Sequence, residues 1–407
     1  MLEEASKRIR ERILAQLEGA PARTDSELRS LIEEEVFRFS ESSYLTADRK
    51  WKLVERVFHS FRGLDILQPL LEDPDITEIM INSHEEIFIE QNGAITRVEG
   101  RFDSKEKLED VIQAVVAKVN RTVNESSPIV DARLSDGSRV NVVLPPVALK
   151  GPTMTIRKFP SKPMTMIDLI AKGALTERSA ADLSRLVECK YNIFIGGGTG
   201  SGKTTFLNAL AGFIPEDERI VTIEDSAELQ IRTIPNLVGL ETRNANTEGR
   251  GEITIRDLIR SSLRMRPNRI LVGEVRGAEA LDMLSAMNTG HEGSISTGHA
   301  NSSIDMLSRL ETMVLSGAEL PLAVVRKQIA SALDILIHLS RMRDKSRKVT
   351  EIHEVLGVED GEIRLNPLYL YEERENGTAG LVRTRNPLLH VRKLEHASMK
   401  LTEGEEL

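Results

Sequence analysis

The stretch IFIGGGTGSGKTTFLNALAG, from Ile193 to Gly212, decides the fold of this chain. Within it, Gly197 is followed after four residues by Gly202-Lys203-Thr204. The run before the glycines is apolar enough for a buried strand, and apolar residues recur at helical spacing after them. A strand, a glycine-rich loop and a helix in this order predict a loop that wraps around phosphate groups.

Each residue type in this loop has a physical task. Glycines allow backbone dihedrals that turn N–H groups towards phosphate oxygens, and the helix N-terminus adds positive partial charge. Lys203 is a point charge for the β and γ phosphates, and Thr204 offers a hydroxyl to Mg²⁺. The sequence therefore predicts that ATP and Mg²⁺ bind here. The predicted nucleotide-binding residues are Gly198, Thr199, Gly200, Ser201, Gly202, Lys203, Thr204 and Thr205.

Composition limits the class of protein. The 407 residues are enough for two or three domains. The formal net charge of −9 argues against a protein that mainly coats nucleic acid, although a local basic groove stays possible. The single cysteine, Cys189, allows no disulfide within the chain and fits a reducing cytosol. No apolar run approaches the roughly 18–20 residues that span a bilayer, so we expect a soluble, cytoplasmic protein that reaches membranes through partners.

Hydrophobic periodicity divides the chain into five segments. Residues 1–62 are predicted to be helical, and they form either a cap on the next domain or a docking arm for a partner. Residues 63–159 alternate short strands with one amphipathic helix, as in a small α+β domain. A linker over 160–175 precedes an α/β domain with a largely parallel sheet over 176–375, and 376–407 form a weakly patterned tail.

Two predicted strands after the phosphate loop end in carboxylates. RIVTIEDSAEL ends in Glu224-Asp225, and RILVGEVRG carries Glu274. A site that hydrolyses a phosphoanhydride needs such groups to hold the metal or to orient water. We expect Glu274 to orient or deprotonate the attacking water, and Glu224 to hold Mg²⁺, together with Thr204, or to hold that water. Glu274 could instead cap the helix that follows, Glu224 could be an ordinary acidic strand end, and Asp225 could cap the following segment.

Two histidines lie in the segment TGHEGSISTGHANS, Thr289 to Ser302. Two histidines without a nearby cysteine do not make a zinc site. His299 follows a short apolar strand and is expected at the edge of the phosphate site, where it senses the γ-phosphate or transmits its loss. His291 is expected to be structural.

The order of these four elements resembles the secretion-traffic ATPases of type II and type IV secretion and of type IV pilus assembly. In that family the elements are called Walker A, Asp box, Walker B and His box. The segment GEITIRDLIRSSLRMRPNRILVGEVRGAEALDMLSAMNTGHEGSISTGHANS is similar to the CpaF branch, the ATPases of tight-adherence pili. So are DARLSDGSRVNVVLPP and GPTMTIRKF. The resemblance covers roughly residues 63–370.

The resemblance implies a fold and a mode of action. It implies a RecA-like P-loop ATPase domain, a smaller PAS-like α+β domain before it and an overall α/β class. It implies a ring-shaped homohexamer that binds ATP between the two domains. It also implies peripheral association with the inner face of the cytoplasmic membrane, through platform proteins of the pilus machine. No direct contact with nucleic acid is expected.

Arginines of the N-terminal domain reach over the nucleotide in that family. The matching positions here are Arg133, Arg139 and Arg157, and planar guanidinium groups suit the charge that develops on a γ-phosphate. All three could instead be ordinary surface arginines. A second set, Arg256, Arg260 and Arg264, recurs every four residues before the Walker B strand. These could face a neighbour's nucleotide or solvent.

Three rival functions share the phosphate loop. A nucleic-acid motor is disfavoured by the acidic balance and by an aromatic content of 4%, which leaves little for base stacking. A scaffold with a degenerate site is disfavoured by the intact Lys203, Thr204 and Glu274. A protein-secretion or DNA-transfer ATPase would carry the same site residues, so the site does not separate it from a pilus motor.

Overall fold

The computed structural model describes residues 2–17, 24–118, 122–134, 136–159, 162–243, 245, 250–373 and 379–401. The chain forms two compact units, Met1–Ser161 and Lys162–Leu407. Among the described residues, no helix has both the length and the hydropathy needed to cross a bilayer.

The first unit begins with helices, as the sequence predicts. They are α1 (Leu2–Leu17), α2 (Asp25–Ser42), α3 (Ala47–Arg62) and the short α4 (Leu67–Glu72). Thr24 begins α2 with a capping box, in which its hydroxyl accepts from the N–H of Glu27 and its own N–H donates to the Glu27 carboxylate. Apolar residues at helical spacing, among them Ile9, Ile32 and Val57, form a small core between α1, α2 and α3.

A six-stranded antiparallel sheet completes the first unit. Its strands are β1 (Ile76–Ser83), β2 (Glu86–Gln91), β3 (Ala94–Arg97), β4 (Ile129–Arg133), β5 (Arg139–Val143) and β6 (Thr153–Arg157), in the spatial order β3-β2-β1-β6-β5-β4. The amphipathic helix α5 (Lys105–Ala117) contributes the predicted apolar residues from Leu108 to Val116 to the core of this unit. Val119, which continues the same apolar spacing in the sequence, lies outside the described residues.

The second unit is an α/β domain built on a nine-stranded sheet. Its strands are β7 (Ile193–Gly197), β8 (Ile220–Glu224), β9 (Leu237–Glu241), β10 (Arg269–Val272), β11 (Ile295–His299), β12 (Ile335–Arg341), β13 (Arg347–Glu359), β14 (Glu362–Glu373) and β15 (Ala379–Arg383). Its helices are α6 (Met166–Ala171), α7 (Glu177–Glu188), α8 (Lys203–Ala211), α9 (Ile255–Ser262), α10 (Glu279–Asn288), α11 (Ser303–Gly317), α12 (Leu322–Ala332) and α13 (Arg392–His396).

The strand order of the second unit determines which segments lie next to the phosphate loop. It runs β15-β14-β13-β12-β7-β11-β10-β8-β9, and every pairing from β12 to β9 is parallel. Because the carboxyl ends of parallel strands meet at one edge, the segments after β7, β11, β10 and β8 lie side by side. The predicted α/β fold with a largely parallel sheet is confirmed.

Two segment boundaries differ from the sequence prediction. Part of the predicted linker forms α6, because Met166 and Leu169 are buried in the core of the second unit. Part of the predicted tail forms β15 and α13, because Leu381 and Leu394 are buried in the same core. Isolated apolar residues at irregular spacing gave no periodic signal there. Residues 402–407 lie outside the described part of the chain.

Candidate functional site

The phosphate loop connects β7 to α8 at the carboxyl edge of the sheet. Gly202 precedes the helix with φ of 94°, a left-handed conformation that disfavours side chains. A Cβ on Gly197 would lie 2.5 Å from the backbone oxygen of Leu339 and 2.5 Å from Oγ of Ser201. The sequence pattern therefore reflects two steric requirements of this turn.

Lys203 is buried at the first position of α8. Its Nζ lies 3.1 Å from each of the backbone oxygens of Gly197 and Gly198, and 3.3 Å from Nδ1 of His299. Thr204 and Thr205 follow in the first turn of the helix, Thr204 half-buried and Thr205 exposed. The loop thus concentrates a cation, a hydroxyl and a helix N-terminus at one place, as phosphate binding requires.

The two neighbours of His299 fix its tautomer. An ammonium group only donates hydrogen bonds, so Nδ1 of His299 accepts from Lys203 and the ring proton sits on Nε2. That nitrogen lies 2.8 Å from Oε1 of Glu274. Burial lowers the pKa of His299 below its usual value, and the charge of Lys203 lowers it further, against the opposing effect of Glu274. His299 is therefore neutral at pH 7 in this arrangement.

Glu274 follows the Walker B strand and is held on its other oxygen by Arg276. A guanidinium nitrogen of Arg276 donates to Oε2 of Glu274 over 2.7 Å, and its second terminal nitrogen lies 3.4 Å from Asp225. The bond to Glu274 is the main reason why the pKa of Arg276 is raised. Arg276 thereby connects the Walker B strand to the Asp box. Sequence reasoning missed this residue, although it stands two positions after Glu274.

Glu224 ends β8 and is buried. Its Oε2 accepts from the backbone N–H groups of Glu228 and Leu229, at 2.7 and 3.0 Å. This carboxylate therefore orders the segment that follows its own strand, in addition to any role towards a metal. That role stays a prediction.

Buried oxygens without a hydrogen-bond partner indicate whether the site could accept MgATP. Among the described residues, Oγ of Ser201 and Oε1 of Glu274 have no hydrogen-bond partner of good geometry. Such oxygens are rare, and these two lie in the phosphate loop and beside its lysine–histidine contact, while others, such as Oε1 of Gln328, lie outside the site. No cluster of three or more acidic, histidine or cysteine side chains could hold a metal within the described ranges. A magnesium ion would therefore rely on nucleotide oxygens, as it commonly does. The donor set fits MgATP.

Arg347 supports the phosphate loop from the side opposite β11. β12 lies next to β7, so the hairpin from β12 to β13 projects beside the loop. Nε of Arg347 donates to the backbone oxygen of Gly200 over 2.9 Å, and Arg341 is its cross-strand partner. The N–H of the same peptide, which belongs to Ser201, donates to the backbone oxygen of Gly198 over 3.3 Å, so the peptide is held at both of its polar groups. No local pattern predicts this contact, because the β7–β12 pairing joins segments far apart in the chain.

The three arginines predicted from the resemblance lie in one row of the first unit's sheet. Arg133 faces Arg139 across β4 and β5, and Arg139 faces Arg157 across β5 and β6. Arg133 also packs on the ring of Phe159, 5.8 Å from its centroid. Glu78 of β1 is the register partner of Arg157. Like charges on directly opposite residues destabilise a sheet, and the carboxylate of Glu78 offsets part of this repulsion at Arg157.

Of the arginines on and after α9, Arg260 and Arg264 are exposed, as the solvent-facing alternative expects, and Arg256 is half-buried. Nε of Arg256 and Nε of Arg260 donate to the two oxygens of Asp282 on α10, at 2.8 and 2.9 Å. They therefore join two helices of the same unit. Arg264 lies beyond the end of the helix. Nδ1 of His291 lies 3.2 Å from the backbone oxygen of Ala286, which fits the expected structural role.

Comparison with known proteins identifies relatives over most of the chain. The model of the type II/IV secretion system protein family matches residues 61–382. A Mycobacterium tuberculosis protein whose name assigns it to conjugal transfer is 38% identical over 296 residues, which cover 71% of this chain and 84% of that protein. The type IV secretion system protein VirB11 of Brucella suis is 34% identical over 303 residues, covering 68% and 84%.

Solved structures agree on the fold. The ATPase DotB of Legionella pneumophila superposes with a TM-score of 0.52 at 22% identity, over 72% of this chain and 80% of DotB. The pilus retraction motor PilT with bound ADP gives a TM-score of 0.51 at 20% identity, over 82% and 86%. At this identity the likeness concerns architecture only.

Proposed function

The chain belongs to the type II/IV secretion system protein family, the ATPases of secretion, conjugal transfer and pilus machines, and from that premise we propose that it hydrolyses ATP to power assembly of a tight-adherence pilus. One observation carries the enzymatic part. Four separate segments place Lys203, Glu224, Glu274 and His299 at the ends of neighbouring parallel strands or in the loops that follow them. A scaffold protein has no need of this convergence.

The proposed mechanism uses the residues of this edge. Lys203 and the N–H groups of the loop bind the triphosphate, with Thr204 and Glu224 placed to hold Mg²⁺. When bound, Mg²⁺ neutralises charge that develops on the phosphate oxygens. Glu274 orients or deprotonates the attacking water, and Arg276 holds its far oxygen. His299 lies between Lys203 and Glu274. A movement of the lysine towards phosphate would therefore change the contact that His299 makes with Glu274.

The arginine row supplies the second half of the proposal. Arg133, Arg139 and Arg157 place three guanidinium groups on adjacent strands of the first unit. We propose that they close over the γ-phosphate and that the loss of this group releases them, so that hydrolysis becomes domain motion. A homohexameric ring would deliver this motion to platform proteins at the inner face of the cytoplasmic membrane, with no direct contact to nucleic acid.

The choice of a pilus rests on the flanking sequence, which is similar to the CpaF branch. A second candidate, a DNA-transfer or protein-secretion ATPase, is favoured by the relatives named for conjugal transfer and type IV secretion. Strains that carry Lys203→Ala would separate the two. Loss of surface pili with normal DNA transfer supports the pilus motor, and the reverse supports conjugation.

A steady-state ATPase assay tests the enzymatic part. Glu274→Gln should retain ATP binding and lose about 10²–10⁴-fold in kcat, because general-base catalysis contributes that much. Lys203→Ala should lose binding itself. Glu216→Gln, which changes an exposed carboxylate of the same unit, is the matched control. Normal turnover by Glu274→Gln would remove this residue from the mechanism.

A further inference from the structure

His338 is a polar side chain in the buried part of β12. The other residues from Ile335 to Leu339 are aliphatic and buried, and His338 itself is 3% exposed. A buried imidazole needs partners for its ring nitrogens, because an unpaired polar group in a core lowers stability. The contacts of the two nitrogens therefore decide whether this histidine only fills the core.

One ring nitrogen of His338 contacts the segment that follows His299. Nε2 lies 3.4 Å from the backbone oxygen of Ala300, and Nδ1 lies 2.9 Å from Oγ1 of Thr350 on β13. A carbonyl oxygen only accepts hydrogen bonds, so the ring proton on Nε2 points to Ala300. Ala300 is buried, and its own N–H donates to the backbone oxygen of Gly197 over 3.4 Å. Both polar groups of Ala300 are thus held.

A glycine in β7 lets His338 reach across that strand. β7 lies between β12 and β11, and Gly196 of β7 is the register partner of His338 on one side and of Gly298 on the other. A Cβ on Gly196 would lie 3.6 Å from Cδ2 of His338. The ring therefore lies over this glycine, and a larger side chain there would occupy the path from β12 to the end of β11.

A bulge in β13 gives the ring its second partner. The pairing of β12 with β13 shifts register directly after His338 and skips Thr350. Bulges redirect side chains and are frequent beside active sites. Here the bulge accompanies the contact of the Thr350 hydroxyl with Nδ1, while Glu351 is the register partner of His338.

Two side chains of β13 hold the other end of the same segment. Oε2 of Glu351 accepts from the N–H of Ser303 over 3.2 Å, and Nδ1 of His353 lies 3.2 Å from Oγ of Ser303. Ser303 is buried and is the first residue of α11. We call residues 300–303 the His299 turn. Strands β12 and β13 therefore hold this turn at its first and at its last residue.

From these contacts we propose that His338 and Glu351 are positioning residues for ATP hydrolysis. They hold the turn directly after His299, whose ring nitrogens lie 3.3 Å from Nζ of Lys203 and 2.8 Å from Oε1 of Glu274. Because small displacements of catalytic groups cost large factors in rate, a turn held at both ends keeps His299 between the lysine and the glutamate. The inference rests on the proposed function, since it concerns the residues that would hydrolyse ATP.

Two substitutions of similar length test the bond from His338. His338→Met removes the donor, whereas His338→Gln keeps an amide N–H near the position of Nε2. His338→Met should lower kcat about tenfold and change the dissociation constant for ATP less than about twofold, because the turn serves the chemical step and the phosphate loop is intact. His338→Gln should recover most of kcat. An unchanged kcat in His338→Met, or an equal loss in both variants, would overturn the proposal.

A double-mutant cycle separates positioning from a general loss of stability. If His338 acts through His299, His338→Met should cause no further loss of kcat in a His299→Ala background, whereas losses that multiply would refute the proposal. Tyr369→Phe is the matched control, since it removes a buried hydrogen bond to Asp182 elsewhere in the same unit and should keep the wild-type kcat. Glu351→Met changes a half-buried residue and should lower kcat in the same direction as His338→Met.

Hydrogen exchange measured by mass spectrometry on the full chain separates failure of this inference from failure of the proposed function. In His338→Met without nucleotide, peptides that cover the His299 turn should exchange faster, while peptides from β8 and β9 should keep their wild-type rates. Hydrolysis by the wild type with unchanged exchange in the variant would overturn this inference alone. No hydrolysis by the wild type, with faster exchange in the variant, would overturn the proposed function and support the anchoring of the turn.

Discussion

Replacing Arg347 by alanine tests how the phosphate loop is held. The wild-type side chain donates from Nε to the backbone oxygen of Gly200 over 2.9 Å. Without it the peptide between Gly200 and Ser201 loses the bond to its carbonyl and keeps the 3.3 Å bond from the N–H of Ser201 to the oxygen of Gly198, so the loop is held less firmly before phosphate binds. The predicted effect is weaker nucleotide binding with little change in the chemical step, because Arg347 acts on the loop and not on the reacting atoms.

The expected magnitude follows from the exposure of Arg347. A hydrogen bond from a charged donor contributes about 1.5–3 kcal/mol when it is sheltered from water. Arg347 is exposed, so competition with solvent reduces this to about 1 kcal/mol. That corresponds to about fivefold in the dissociation constant for ATP. KM should rise by a similar factor, while kcat should change less than about twofold.

Equilibrium titration with a fluorescent ATP analogue, followed by steady-state kinetics, measures both quantities. Arg343→Ala is the matched control, since it removes an equally exposed arginine from the tip of the same hairpin. Arg347→Lys should recover only part of the affinity, because an ammonium on a flexible stem does not reproduce a side-on guanidinium bond. If Arg347→Ala binds ATP as tightly as Arg343→Ala, the positioning role is wrong.

Two further predictions concern titration and stability. Lys203→Met should raise the pKa of His299, and Glu274→Gln should lower it further, because each change removes one of the two opposing charges. NMR of labelled histidine across pH measures this, and shifts in the opposite directions would contradict the tautomer assignment. Arg269 is fully buried and donates to both oxygens of Glu218, at 2.7 and 2.8 Å. Arg269→Met should lower the free energy of unfolding by about 3–5 kcal/mol, because it leaves a buried carboxylate without its main partner. Calorimetry should show that the added change Glu218→Leu restores most of this loss, whereas no loss in the single variant would contradict the reasoning.

Much of the site could be predicted from local sequence. The phosphate loop and the acidic ends of β8 and β10 depend on patterns within a dozen residues, and such patterns determine strand, turn and helix locally. His299 was placed at the site edge by the same reasoning, and the structure puts it between Lys203 and Glu274. The α/β class followed because apolar strands alternate with helices over the second half of the chain.

Contacts between segments far apart in the chain could not be predicted from local sequence patterns. Arg347 meets Gly200 because β12 pairs with β7, and nothing within either segment specifies the other. The burial of Leu394 in the core shows the same limit, since the apolar residues of this tail have no regular spacing that would predict it. The contact of Arg260 with Asp282 likewise depends on how two helices cross.

The sequence by itself determined that a phosphate loop, two acidic strand ends and a histidine segment occur in one chain, because each is a short-range pattern of backbone and side-chain preference. Only the tertiary structure decided that they share one sheet edge, that Arg276 donates to one oxygen of Glu274 while His299 lies beside the other, and that three arginines align in one row of the other unit. The physical reason is that strand order and register are set by burial of whole faces against one another, a property of the assembled core and not of any single segment.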